Sequence, residues 1–125
     1  MIVGSGIDVI ENARVERELS RASWEAKHGI FTADEIQRFK SSKKPALLFA
    51  ACFAAKEATL KALGMAVSNV AHFRDIEALP DAKGKWSLSL HGHPLSISEE
   101  LAVLHASIAV TTSKKLSVAM VVLEA

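Results

Sequence analysis

The amino-acid sequence predicts a single α+β domain, in which an antiparallel sheet packs on one long buried helix with shorter helices around it. Two patterns carry that expectation. The first half of the chain holds segments with apolar residues at helical spacing, one of them apolar almost all round. The second half holds short apolar and β-branched runs separated by turn residues, and a further such run opens the chain.

Taken in order, Ile2–Ile10 reads as a strand, with Gly4 and Gly6 marking a close backbone approach. Glu11–Lys27 lacks helix breakers and places Val15, Leu19 and Ala22 at helical spacing. Thr32-Ala-Asp-Glu35 fits a capping box, so a short helix is expected to reach Phe39. Ser41–Pro45 is a loop, and Pro45 suits a first helical turn, where its missing N–H costs nothing. The helix that follows, Leu47–Leu63, is apolar almost all round until Lys56 and Glu57, and Gly64 stands just past its end. His72–Leu79, Lys85–His91, His105–Thr111 and Leu116–Leu123 read as strands, with Asp81–Gly84 as a hairpin turn. Pro94–Val103 reads as a short helix.

The whole chain, residues 1–125, suits one domain, and no linker or repeat divides it. Half the residues are hydrophobic, an excess that self-association would help to cover. A formal net charge of +1 argues against a generic nucleic-acid binder. Cys52 is the single cysteine, so no intrachain disulfide can form and a reducing compartment is expected. The start has no signal-peptide pattern, and the longest uncharged run, Pro45–Ala55, falls short of the ~20 residues that span a bilayer. A soluble, cytoplasmic protein without membrane contact is the expectation.

Three charges stand where charge is costly. Asp8 lies inside the apolar run Gly6–Ile10, and Lys56-Glu57 interrupts the most apolar helix. One reading is structural, with Asp8 or Glu57 paired to Lys56, Lys61 or an arginine. The other is a metal–phosphate site. Glu57 and Lys61, four apart, share a helix face, and Mg²⁺ favours one or two carboxylates with substrate phosphates. On the first predicted helix, Arg14, Arg17 and Arg21 form a basic stripe, with Glu11, Glu16 and Glu18 close by.

These residues also carry a family resemblance. Gly4-Ser-Gly-Ile-Asp-Val-Ile-Glu11 with Arg14 is similar to the opening of the holo-acyl-carrier-protein synthases, small members of the 4′-phosphopantetheinyl transferase superfamily. Phe53-Ala-Ala-Lys-Glu-Ala58, continuing to Lys61-Ala-Leu-Gly64, resembles their most specific signature. Phe31-Thr-x-x-Glu35, Asp75-Ile-Glu77, His105-x-Ser-Ile and the final strand fall in the expected order.

The resemblance implies transfer of 4′-phosphopantetheine from coenzyme A to a serine of an apo acyl carrier protein, as in fatty-acid biosynthesis, with release of 3′,5′-ADP. It implies Asp8 and Glu57 as Mg²⁺ ligands, and Glu57, Lys61 and His105 as catalytic residues. Lys56, Lys61, Gly64 and His105 are expected to contact coenzyme A; Arg14, Arg17 and Arg21 are expected to meet the acidic carrier protein. The proton acceptor is left open between Glu57 and a metal-bound water. The family forms homotrimers with active sites between subunits. Two positions depart from its usual pattern. Cys52 replaces an arginine expected near the coenzyme A phosphates, and Val110 replaces a second histidine after His105. They motivate an alternative: a homologue that binds carrier protein or coenzyme A without efficient transfer.

Overall fold

The computed structural model describes residues 1–21, 27–66 and 70–125. Strand β1 (Ile2–Glu11) runs directly into helix α1 (Asn12–Arg21); Ala22, on the predicted apolar face, lies outside the described residues. Helices α2 (Ala33–Ser41) and α3 (Pro45–Ala62) follow, then a 3₁₀ turn (Val70–Asp75). Strands β2 (Ile76–Pro80) and β3 (Trp86–Leu90), helix α4 (Gly92–Glu100), and strands β4 (His105–Thr112) and β5 (Leu116–Glu124) complete the order. All strand pairs are antiparallel, but they form two sheets: β1-β5-β4, and a separate β2-β3 ribbon.

Helix α3 is the centre of the molecule. Ala50, Ala51, Ala54, Ala55, Ala58 and Ala62 are all buried, and their small side chains let the helix lie close against β1 and β5. The approach is closest at β1. A Cβ on Gly4 would stand 2.0 Å from the Ala62 carbonyl oxygen, and one on Gly6 would stand 2.0 Å from that of Ala58. Two residues of strand advance about 6.7 Å and four residues of helix about 6 Å, so strand and helix stay in step. Asp8, the next residue facing α3, is thereby delivered to the helix. On the other side of α3, Phe31 stacks edge-on with Phe39 at 5.1 Å and tilted against Phe49 at 4.6 Å.

The capping box forms as predicted: Glu35 N–H donates to Thr32 Oγ1 and Thr32 N–H to Glu35 Oε1. Glu35 does more than cap. Its buried carboxylate pairs with the buried ammonium of Lys56 at 2.6 Å and accepts from Ala78 N–H at 2.8 Å and the Cys52 thiol at 3.0 Å. Lys56 also donates to the carbonyls of Ile30, Phe73 and Ile76. This corrects one expectation. Residues 72–75 are not strand but 3₁₀ turn, and β2 begins only at Ile76. Carbonyls of a strand alternate in direction, whereas those of Phe73 and Ile76, three residues apart, converge on one ammonium as a 3₁₀ repeat allows.

Candidate active site

Beside β1, α1 and α3 lies a cavity of about 470 Å³. Its acidic side is formed by Asp8 and Glu57, with Glu11 and Arg14 also in the lining. Glu18 and Lys27 line it too, and the apolar remainder includes Val15, Ile30, Phe31, Phe49 and Phe53. Phe49, Phe53, Glu57 and Lys61 recur every four residues, so one row of α3 supplies apolar surface, a carboxylate and a cation. That spacing was the signal for Phe49, a cavity residue that motif reasoning passed over.

Asp8 is buried. Its Oδ1 accepts from Lys61 Nζ at 2.8 Å, and Lys61 also donates to the Ile7 carbonyl at 3.1 Å. Its Oδ2 is buried and receives no hydrogen bond. The neighbour able to serve it is the Glu57 carboxyl, which can donate only when protonated. Desolvation, and then the adjacent Asp8, raise Glu57 to about 7, against the opposing pull of Lys61 and Arg14. An orphaned carboxylate oxygen beside a second carboxyl that resists ionising is an arrangement a cation would relieve. The donor set, two carboxylates from two elements, fits a hard divalent ion that takes its other oxygens from substrate and solvent. Among the described residues no group of three or more His, Cys, Asp or Glu side chains is placed to hold a metal alone.

Other predicted residues lie elsewhere. Lys56 is fully enclosed by Glu35 and three carbonyls, so the expectation that it contacts coenzyme A is corrected: its ammonium faces the core. Gly64, at φ 73°, forms the turn after α3, with open space where a Cβ would stand. Arg14, Arg17 and Arg21 are exposed on α1, Arg14 pairing with Glu18 at 3.6 Å. His105 is not brought to Asp8 within one chain. Asp8 and Val110 both pair with Ala119 and share the inner sheet face; His105, five residues from Val110, points to the outer face. It pairs with Glu124, about 17 Å along β5 from Ala119. Val110 instead lines a second opening with Leu48, Ala51 and Trp86. Cys52 is buried against Glu35, where burial pushes its thiol further up, away from reactivity.

A sequence profile of the 4′-phosphopantetheinyl transferase superfamily matches residues 4–120. The chain is 36% identical over 123 residues to a holo-[acyl-carrier-protein] synthase of Aliivibrio salmonicida, covering 98% of each. It superposes on the crystal structure of holo-[acyl-carrier-protein] synthase from Neisseria meningitidis with TM-score 0.86, at 32% identity and full coverage of both. A Bacillus anthracis holo-(acyl-carrier-protein) synthase in complex with CoA (3′,5′-ADP) matches with TM-score 0.79 and 34% identity, over 99% of this chain and 97% of that one.

Proposed function

The chain belongs to the 4′-phosphopantetheinyl transferase superfamily, and from that premise we propose that residues 1–125 act as one holo-[acyl-carrier-protein] synthase domain. The reaction is transfer of 4′-phosphopantetheine from coenzyme A to a serine hydroxyl of an apo acyl carrier protein, with 3′,5′-ADP leaving. The observation that carries the site assignment is the buried, unpartnered Asp8 Oδ2 beside a Glu57 carboxyl raised to about 7. Asp8 and Glu57 would hold Mg²⁺, which when bound neutralises charge on phosphate oxygens.

The remaining steps belong to this chain's own groups. Lys61 holds Asp8 in place and presents an ammonium, partly exposed, at the same edge for a coenzyme phosphate. We assign the proton of the attacking serine hydroxyl to the Glu57 carboxylate, which is ionised once a cation has displaced its own proton. Gly64 leaves room for the coenzyme beyond the end of α3. The exposed arginines of α1 face the carrier protein.

His105 and the assembly are proposed together. Ile7, Val9 and Met120 are exposed on the outer face of the β1-β5-β4 sheet, the face that also carries His105. Burying that apolar face between copies in a homotrimer would bring one chain's His105 toward a neighbour's cavity. No helix among the described residues is long and apolar enough to cross a membrane, and we place the enzyme in the cytoplasm, in fatty-acid biosynthesis.

Mass spectrometry tests the function. Incubated with apo carrier protein, coenzyme A and Mg²⁺, the protein should add one phosphopantetheine mass, and Glu57→Gln should nearly abolish it. Absence of the shift across a panel of carrier proteins would defeat the transferase reading; an unchanged rate in Glu57→Gln would defeat the metal assignment.

A further inference from the structure

Helix α1 alone does not make a basic surface. Arg14, Arg17 and Arg21 are exposed, but Glu11, Glu16 and Glu18 are exposed beside them. Arg14 is already paired with Glu18. The helix itself carries three cations against two carboxylates, and Glu11 at the end of β1 cancels the one charge left over; beyond a Debye length of ~8 Å at physiological salt little else of a charge pattern is felt. The positive excess comes from another part of the fold.

The turn between β4 and β5 carries Lys114 and Lys115, both exposed. It is fastened to the first residue of α1. Asn12 N–H donates to the Lys115 carbonyl at 2.8 Å. Asn12 Nδ2 donates to the carbonyls of Ser113 at 2.8 Å and Lys114 at 3.3 Å. Ser117 Oγ donates to Asn12 Oδ1 at 2.7 Å, and both residues are buried. The turn also closes on itself, Ser113 N–H donating to the Leu116 carbonyl at 2.8 Å. Asn12 and Arg14 are two residues apart, a rise of about 3 Å along the axis but about 200° around it, so the turn stands at the head of α1, level with Arg14 rather than on its face.

We propose that Lys114 and Lys115, held at the head of α1 by Asn12, join the α1 arginines in one docking surface for an acidic protein partner, and give that surface its net positive charge. The partner is the apo carrier protein, so the proposal rests on the transferase reading. The division of labour follows from the side chains. Lysine ammonium groups are strongly hydrated point charges that act at range, whereas arginine forks make bidentate contacts on arrival.

The test compares the full-length protein with Lys114→Ser/Lys115→Ser. A control, Lys83→Ser/Lys85→Ser, removes the same charge from the β2–β3 turn. Stopped-flow association of a fluorescently labelled apo carrier protein is followed at low salt and at about 0.5 M salt, where the Debye length is only ~4 Å. The turn variant should associate about three- to ten-fold more slowly at low salt and match wild type at high salt, with the control close to wild type throughout. An unchanged rate in the turn variant, or an equal loss in the control, would overturn the proposal. Transfer is scored in parallel by mass. Binding that depends on Lys114 and Lys115 without any transfer would sink the transferase reading and leave the docking surface standing. Normal transfer with salt behaviour identical to wild type would do the reverse.

Discussion

Replacing Lys56 by methionine puts the buried pair to a quantitative test. The side chain is similar in volume, but it withdraws the ammonium that Glu35 meets at 2.6 Å and that the Ile30, Phe73 and Ile76 carbonyls share. Removing one partner of a buried ion pair costs about 3–5 kcal/mol, because the other charge is left uncompensated. Glu35 keeps three donors, Thr32 N–H, Ala78 N–H and the Cys52 thiol, which moderates that penalty. The three carbonyls lose theirs, which adds to it, since a buried group without a partner costs about 1–3 kcal/mol. A net loss of about 4 kcal/mol is expected, roughly 10–20 °C in Tm for a chain of this size. Glu35→Gln/Lys56→Met should recover at least ~1.5 kcal/mol relative to the sum of the two single variants. Urea unfolding followed by circular dichroism measures this, at one fixed chain concentration because the proposed assembly would contribute to apparent stability. Lys56→Met within about 1 kcal/mol of wild type, or single effects that add to within ~0.5 kcal/mol, would refute the reasoning.

Further outcomes follow from the site. Gly6→Ala places a methyl 2.0 Å from the Ala58 carbonyl oxygen, so β1 must lift from α3; about 3 kcal/mol or more of stability should go, visible as a lowered thermal midpoint. In the metal-free protein, Glu57 binds a proton more tightly folded than unfolded, its value rising from 4.5 to about 7. Its contribution to stability is therefore present at low pH and is lost as pH rises through about 7. The same proton must leave when a cation binds. Calorimetric Mg²⁺ titrations in buffers of different ionisation enthalpy should show proton release at a pH one unit below that value and almost none well above it, with affinity rising across the interval. Equal proton release at both pH values would remove Glu57 from the cation site.

The sequence showed the elements better than their contacts. Thr32 and Glu35 announced the start of α2, and Pro45 and Gly64 bracketed α3, because caps and breakers are local chemistry. Gly4 and Gly6 were legible as a close approach, though not as an approach to Ala58 and Ala62. Lys56 was misplaced because nothing local reveals that Glu35, read as a cap, turns its carboxylate onto an ammonium of another helix. The 3₁₀ turn was lost with it, since the acceptors of Lys56 bend residues 72–75 away from the strand their composition favours. Asp8, Glu57 and Lys61 were found together because an isolated charge in an apolar segment is visible in one dimension. The outward direction of His105 was hidden, as it depends on strand parity counted across β5.

The thiol of Cys52 bears on how this lineage could change. It is a neutral donor to a carboxylate that already has its one cation, so the buried cluster of Glu35, Lys56 and Cys52 is balanced in charge. Replacing Cys52 by arginine would bring a second cation into a fully buried space beside Glu35, with Glu77 also in electrostatic reach. The guanidinium would have to escape or unfold its surroundings before it could help bind a phosphate. Arginine at this position is therefore not a one-step gain of a phosphate contact: the neighbours that enclose a neutral thiol would have to change with it.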